Sequence, residues 1–486
     1  MVFSSAIFVM MFLPVVFISN TLITLIRKEL SNYLLLVASF VFYAWGEPYL
    51  VLLMLVSVIL NWMVGLLLSR TGPASGNAAL KEGSERSIAA PGLRRLILVI
   101  GVAADLTILG CFKYAGFFAQ TINDLLRSDI LPVPHITLPI GISFFTFQAI
   151  SYIVDVYRGD TKASRSFVNV ALYISFFPQL IAGPIVKYKD INRQIESRHV
   201  NWVGVADGFR RFVYGLGKKI LIANVLGLCA DTVYSYDIAK IGGGAAWVGA
   251  LAYTFQIYYD FSGYSDMAIG LGQMFGFRIP ENFNYPYMSC SISEFWRRWH
   301  ISLGSWFREY VYIPLGGNRK GQLRTYINLA IVFFLTGLWH GAALTFIIWG
   351  MYHGIFVLVE RAGLGKMLRR TRILAPVYAF LVVHFGWVLF RADDIMTGIK
   401  FQVRMLLPWR YSDAAIHPGL YMDRKTIMVF VLAVIGMGLI QRFLPAGIRN
   451  RWKNSVPEAV FLIGMLLLCL ASLASDTYNA FIYFQF

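Results

Sequence analysis

Long apolar stretches recur along the chain and, more than any other feature, limit what it can fold into. Residues 1–26, 49–68 and 96–118 are three of them, and about 20 apolar residues are enough for a helix to cross a bilayer. Lipid cannot hydrogen-bond the backbone, so a crossing segment satisfies its own N–H and C=O groups by forming a helix. Only 14% of the residues are charged, against about 25% in soluble domains. The pattern excludes disordered and ordinary soluble chains, and it predicts an all-α, polytopic membrane protein with a single domain, residues 1–486.

Basic residues outnumber acidic ones by 43 to 26, which gives a net charge of +17. In a membrane protein, basic residues concentrate in short cytoplasmic loops. This rule predicts that a polar loop over residues 70–95 is cytoplasmic and that the N-terminus faces outward. The rule fails at residues 167–185, because a crossing there would carry many basic residues outward. The pair Gly183 and Pro184 allows two interpretations, a re-entrant segment and an ordinary kinked span.

Residues 278–324 differ from the rest of the chain because aromatic and basic residues are interleaved there, among them Trp296, Trp299 and Trp306. Amphipathic aromatic and cationic side chains prefer the boundary between membrane and water. We therefore predict an interfacial segment along the cytoplasmic face.

His340 lies inside the apolar stretch of residues 333–343, which contains no charged residue. An ionisable side chain at membrane depth is costly and indicates a function. A neutral imidazole can take a proton from a hydroxyl near pH 7, and Gly337 and Gly341 allow another group to approach the backbone closely. The pattern equally fits a core histidine that is hydrogen-bonded to a neighbouring helix. Residues 326–360 are the candidate catalytic region.

Two other histidines lie near this region in sequence. His300 follows Trp296 by four residues, so the two side chains would share a face on a continuous helix, and His300 could serve as a second catalytic or positioning group or as a structural one. His353 lies about 220 degrees around an ideal helix from His340. One continuous helix would therefore not present both to one site.

Two carboxylates, Asp260 and Asp266, lie in an apolar and aromatic stretch. An ionised carboxylate at depth needs a partner whatever the function. We expect them to pair with Arg297 or Arg298, or to cap a broken helix, and a structural role is favoured over a catalytic one. The spacing of histidines and carboxylates does not indicate a metal site. The residues alone leave an enzyme and a transporter both open.

Seven segments together carry a family resemblance. They are residues 1–5 (MVFSS), 138–144 (LPIGISF), 181–184 (IAGP), 259–272 (YDFSGYSDMAIGLG), 294–303 (EFWRRWHISL), 315–321 (LGGNRKG) and 337–341 (GLWHG). In this order they resemble the membrane-bound O-acyltransferase (MBOAT) superfamily, and within it the branch that O-acetylates alginate. The resemblance extends from the N-terminus to about Arg391.

The resemblance implies a fold and a set of site residues. It implies a ring of about ten to twelve transmembrane helices around a central tunnel, with re-entrant and interfacial helices, in the bacterial cytoplasmic membrane. His340 matches the catalytic histidine of the family, and His300 matches its second characteristic polar position. We expect Trp339, Asp260 and Asp266 to support and position these groups.

The resemblance also implies a reaction. An acetyl group would pass from cytoplasmic acetyl-CoA, with no permanently bound cofactor, toward hydroxyls of an exported, alginate-like polysaccharide, directly or through a periplasmic partner protein. Because coenzyme A is anionic, Arg297, Arg298, Arg319 and Lys320 are candidates to hold its phosphates. Transfer of a D-alanyl or other acyl group is the nearer alternative. A polysaccharide or lipid transporter is the second.

Overall fold

The structure, a computed structural model, describes residues 1–71, 91–134, 136–371, 373–411, 415–420, 422–443, 445–475, 478 and 482. Within these ranges the regular structure is helical, and the β-type pairing is one isolated bridge between Ile241 and Ile416. The predicted all-α class is confirmed. The predicted polar loop of residues 70–95 lies largely outside the described residues.

The described chain divides into two compact units, Met1–Phe209 with Ala268–Pro280 and Arg210–Met267 with Glu281–Phe486. The helices of the first unit are α1 (Phe8–Ile26), α2 (Leu30–Ala44), α3 (Val51–Arg70), α4 (Pro91–Lys113), α5 (Ala115–Leu126), α6 (Ile142–Arg158), α7 (Phe167–Ser175), α8 (Phe177–Leu180) and α9 (Tyr188–Glu196). Two helices have residues in both units, α10 (Trp202–Tyr234) and α11 (Gly243–Met274). The remaining helices of the second unit are α12 (Ile292–Arg298), α13 (Ile301–Phe307), α14 (Gln322–His340), α15 (Leu344–Leu368), α16 (Leu374–Arg391), α17 (Ile395–Leu406), α18 (Arg424–Phe443), α19 (Ala446–Trp452) and α20 (Val456–Ser475).

Eight helices of the described chain are long and apolar enough to cross a membrane, namely α1, α3, α4, α10, α15, α16, α18 and α20. The protein is therefore a multi-pass membrane protein. The total of ten to twelve spans and the sidedness of the loops stay predictions.

The apolar run of residues 167–185 does not form one spanning helix. Helix α7 ends at Ser175, and nine helical residues extend only about 14 Å. The chain is extended at Phe176 before the short helix α8. A Cβ atom on Gly183 would lie 2.5 Å from the Cα of Gln179, so only glycine permits this close return of the chain. The helix stops before the Gly–Pro pair instead of bending at it, and both interpretations of how residues 167–185 meet the membrane stay predictions.

Helices of the second unit approach one another at glycines. A Cβ atom on Gly215 of α10 would lie 2.6 Å from the carbonyl oxygen of Gly263 on α11. A Cβ atom on Gly337 of α14 would overlap the carbonyl oxygen of Phe346 on α15. Membrane helices lack a hydrophobic drive to associate, so small residues that allow backbone contact are the usual means of packing. The close contact of α14 and α15 sets the position of the residues where the chain turns between them.

The segment of residues 278–324 contributes side chains to the interior of the second unit. Trp299 is 2% exposed and Trp306 is 5% exposed. Trp299 packs on Phe295 and Trp387 with ring centroids 5.5 and 4.9 Å apart. The Trp299 ring therefore fills the core between α12 and α16, and the interfacial position of the segment as a whole stays a prediction.

Candidate active site

His340 is the last residue of α14 and lies in an aromatic enclosure. The side chain is 4% exposed. Its ring meets Trp339, Trp349 and Phe390 nearly edge to face, at centroid distances of 4.9, 5.1 and 5.2 Å. These neighbours come from three helices, α14, α15 and α16. The enclosure keeps bulk water away from the imidazole.

His300 lies between α12 and α13, with φ 46° and ψ 53° in the left-handed region. This conformation is uncommon outside glycine and is kept only where surrounding contacts enforce it. Because α12 ends at Arg298, the prediction that His300 and Trp296 share one helix face is wrong. The sharp turn sends the His300 side chain into the interior, where it is 1% exposed.

Asn282 holds His300 in place. Its side-chain oxygen accepts from the backbone N–H of Ser302 at 3.2 Å and from the Ser302 hydroxyl at 2.8 Å. The same oxygen lies 3.1 Å from Nδ1 of His300. An oxygen that accepts from a backbone N–H faces Nδ1 as an acceptor, so Nδ1 carries the proton and Nε2 carries the lone pair. Burial lowers the pKa of His300 to about 3, so the ring is neutral at pH 7.

The two predicted histidines are linked through Trp339. The indole of Trp339 meets the ring of His300 at 5.8 Å and the ring of His340 at 4.9 Å. The ring of Phe261 on α11 also meets His300, edge to face, at 4.7 Å. The structure therefore brings His340, His300 and Trp339 together.

Glu360 of α15 anchors the helix that leads to His300. Its carboxylate accepts from the backbone N–H groups of Ile292 and Ser293 at 2.5 and 3.0 Å, and from the Ser293 hydroxyl at 2.7 Å. Unpaired N–H groups at a helix start attract a carboxylate. This contact fixes α12 against α15, and so fixes the turn that carries His300.

Asp260 and Asp266 have partners other than the predicted arginines. Asp260 lies 2.6 Å from Nζ of Lys219, and both side chains are almost fully buried. Asp266 is paired with Arg211 at 2.9 Å and with Lys218 at 2.5 Å. The prediction of pairing with Arg297 or Arg298 is wrong, and so is that of a helix cap, because both carboxylates lie inside the unbroken helix α11. The reason is the crossing of α10 and α11, which places a π-helical turn, Lys218–Ala223, beside them.

The four candidate donor-binding residues do not form one cluster around His340. Arg298 is paired with Glu294, one turn earlier on α12, at 2.7 Å. Arg297, Arg319 and Lys320 are exposed. Arg319 and Lys320 precede α14, whereas His340 ends it, and a helix of this length separates its ends by about 27 Å. An elongated donor could reach both ends, but a compact one could not.

Asn282, Trp349 and Phe390 contribute to the site, and the sequence does not predict them. Their sequence neighbourhoods contain no motif that separates them from other polar or aromatic residues. His353 also lies nearby, with its ring 5.2 Å from Trp349. His340 and His353 lie on different helices, since the chain turns back between α14 and α15, so both can approach Trp349. The described residues contain no group of three or more metal-ligating side chains.

Comparison with known proteins points to one family. Residues 161–407 match the profile of MBOAT, the membrane-bound O-acyltransferase family. The matched region includes both histidines, Asn282 and the glycine contacts between α14 and α15.

Several curated proteins are similar along much of the chain. The probable alginate O-acetylase AlgI of Pseudomonas putida is 41% identical over the whole of both chains. The peptidoglycan O-acetyltransferase of Helicobacter pylori is 37% identical over 82% of this chain and 79% of its own length. The teichoic acid D-alanyltransferase of Bacillus subtilis is 28% identical over 57% of this chain and 78% of its own.

Proposed function

This chain belongs to the membrane-bound O-acyltransferase family, and from that premise we propose that it transfers acetyl groups from acetyl-CoA toward hydroxyls of an exported, alginate-like polysaccharide. The chain is an O-acyltransferase by its family. Acetyl as the acyl group is supported by the full-length similarity to the probable alginate O-acetylase AlgI of Pseudomonas putida. The proposal includes the bacterial cytoplasmic membrane as location and a cytoplasmic donor.

The single observation that carries the proposal is the link of His340 to His300 through Trp339 in a buried aromatic enclosure. In the proposed step, the acceptor hydroxyl oxygen attacks the thioester carbonyl carbon while His340 takes the hydroxyl proton. The carbon–sulfur bond then breaks, and the departing thiolate receives the proton from His340. General-base help of this kind typically contributes about 10²–10⁴-fold to the rate.

His300 has a positioning role in this proposal. Its proton is held on Nδ1 by Asn282, so its Nε2 lone pair has a fixed direction. Because Trp339 packs on both histidines, a shift of His300 would displace the indole that orients His340.

The exposed residues Arg297, Arg319 and Lys320 are the proposed contacts for the phosphates of coenzyme A. Guanidinium and ammonium groups bind phosphate well. The distance of about 27 Å between the ends of α14 requires an extended donor, with its charged part outside the aromatic enclosure and its thioester inside.

The acceptor is proposed to be a polysaccharide hydroxyl or a hydroxyl of a periplasmic partner protein that passes the acetyl group on. D-alanyl transfer is the second candidate, because the teichoic acid D-alanyltransferase of Bacillus subtilis shares 28% identity over 57% of this chain. A transporter is disfavoured by the family membership.

Acetyl transfer from radiolabelled acetyl-CoA by the purified protein in detergent tests the proposal, with coenzyme A release measured in parallel. We expect release from the wild type and its loss in His340→Ala. His384→Gln is the matched control, because His384 is also buried but is bonded to Thr254 at 2.8 Å and stacked on Trp247. Release that persists in His340→Ala would contradict the role of His340. A folded wild type that releases nothing would contradict release from acetyl-CoA alone. Addition of an alginate-type oligosaccharide as acceptor, and then replacement of acetyl-CoA by a D-alanyl thioester, would separate a missing acceptor from a wrong donor.

A further inference from the structure

A cavity of about 410 Å³ lies in the second unit and shares no lining residue with the aromatic enclosure of His340. This volume is in the usual range for ligand sites. It is lined by α10, by the start of α18, by the end of α20 and by Tyr478; the lining residues are Ile220, Leu221, Asn224, Val225, Leu228, Cys229, Thr232, Asp423, Lys425, Thr426, Ser472 and Tyr478.

The lining changes from apolar to polar along the cavity. The apolar part comes mainly from α10 between Ile220 and Cys229, and Leu228 in this wall is 55% exposed. The polar part comes from the first turn of α18, from the last turn of α20 and from Thr232 near the end of α10. The helix rises about 18 Å over the twelve steps from Ile220 to Thr232. The cavity therefore extends from the ends of three membrane helices, where water is near, to the depth of lipid chains.

The polar end presents one positive and one negative group. Lys425 and Asp423 are both exposed, and Lys425 forms no ion pair with the residues that the structure describes. Asp423 caps α18, where its carboxylate accepts from the backbone N–H of Thr426 at 2.7 Å. Hydrogen bonds from the side chain and backbone of Thr426 hold the pKa of Asp423 below its usual range, so the carboxylate is charged at neutral pH.

We propose that this cavity binds a zwitterionic phospholipid of the phosphatidylethanolamine type, with its phosphate at Lys425, its ammonium at Asp423 and an acyl chain along the apolar wall from Ile220 to Cys229. A soluble sugar would leave the apolar wall exposed, and a purely anionic lipid would meet the charge of Asp423. An amphiphile with both charges in its headgroup satisfies the whole lining. A lipid bound there would contact α10, α18 and α20 together, so the packing of these three helices would depend on lipid.

The experiment uses the full chain reconstituted in nanodiscs with equal amounts of phosphatidylethanolamine and phosphatidylglycerol. A photoactivatable phosphatidylethanolamine with a diazirine in its acyl chain is cross-linked, and the labelled peptides are mapped. The lipid retained after extraction is counted by native mass spectrometry. Two variants perturb the site, Lys425→Glu at the headgroup and Val225→Trp in the acyl wall. Their matched controls are Lys400→Glu, an exposed lysine on α17, and Leu432→Trp, an exposed residue of α18 that does not line the cavity.

We expect labelling of residues 220–232 and preferential retention of phosphatidylethanolamine. Lys425→Glu should reduce retention about fivefold or more, the effect of one lysine beside an anionic headgroup, and Val225→Trp should abolish labelling of the wall. Both controls should retain lipid as the wild type does. Equal labelling in Val225→Trp and Leu432→Trp would overturn the site. Preferential retention of phosphatidylglycerol, or displacement of the label by a soluble uronic acid oligosaccharide, would overturn the assigned ligand.

Discussion

The buried ion pair of Lys219 and Asp260 allows a quantitative test of what the carboxylates of α11 do. The two groups are 2.6 Å apart, and the side chains are 2% and 1% exposed. Asp260 also accepts from the backbone N–H of Ile482 at 2.9 Å. If the role of Asp260 is structural, replacement of its cation should destabilise the protein, and replacement of both charges should restore much of the loss.

The distance sets the expected size of the effect. Two unit charges 2.6 Å apart attract by about 6 kcal/mol at an effective dielectric constant of about 20, and desolvation offsets much of this. Removal of one partner leaves an uncompensated buried charge and typically costs about 3–5 kcal/mol. We expect that loss in the free energy of unfolding for Lys219→Met. The double variant Lys219→Met/Asp260→Asn should lie within about 2 kcal/mol of the wild type, because asparagine still offers an oxygen to Ile482.

Unfolding titrations with sodium dodecyl sulfate in mixed micelles, on the wild type, both single variants and the double variant, measure the coupling energy. Acetyl transfer is measured on the same four purified proteins before sodium dodecyl sulfate is added. We expect a coupling of at least about 2 kcal/mol and activity in the double variant. Additive single effects would refute the ion-pair argument. A stable but inactive double variant would show that the charged pair of Lys219 and Asp260 takes part in the reaction.

Three further outcomes are expected. Gly337→Ala should lower the free energy of unfolding by about 1–3 kcal/mol, because the new methyl group would overlap the carbonyl of Phe346. The control Gly464→Ala should leave it unchanged, since a methyl group there would meet nothing within 4 Å. Equal melting temperatures of the two variants would contradict the close packing of α14 and α15. Asn282→Leu should reduce kcat about 10–100-fold, as does the loss of a hydrogen-bond partner that orients a metal-ligating histidine, with KM for acetyl-CoA little changed. An unchanged kcat would contradict the positioning role. The pKa of His300 is about 3 in the folded protein and about 6.5 in the unfolded chain. The unfolded chain therefore binds this proton first as the pH falls, so stability that is present above pH 6.5 is lost toward pH 3. His300→Gln should reduce the loss of unfolding free energy between pH 7.5 and 5 by about 2 kcal/mol, and identical pH profiles of stability for the variant and the wild type would contradict this.

Local features of the sequence are sufficient to predict the class of fold and one central residue of the candidate site, His340. The apolar runs predict membrane helices because lipid leaves the backbone no other partner, and eight such helices are found among the described residues. His340 was predicted as a site residue because a histidine without charged neighbours inside an apolar run is conspicuous by itself. The role of His340 in catalysis stays a prediction.

The partners of the other polar residues depended on tertiary structure. Lys219 and Asp260 are 41 positions apart, and the sequence does not reveal that glycines let α10 and α11 cross where the two charges meet. The spacing of His300 and Trp296 predicts a continuous helix, but the backbone turns into the left-handed region at His300, and Asn282 fixes the direction of the ring. A sequence pattern indicates whether a segment lies in lipid, in water or in the protein interior, because neighbouring residues of one helix share the same surroundings. Which two distant side chains meet depends on crossing angles and turns, and these are properties of the packed helices as a whole.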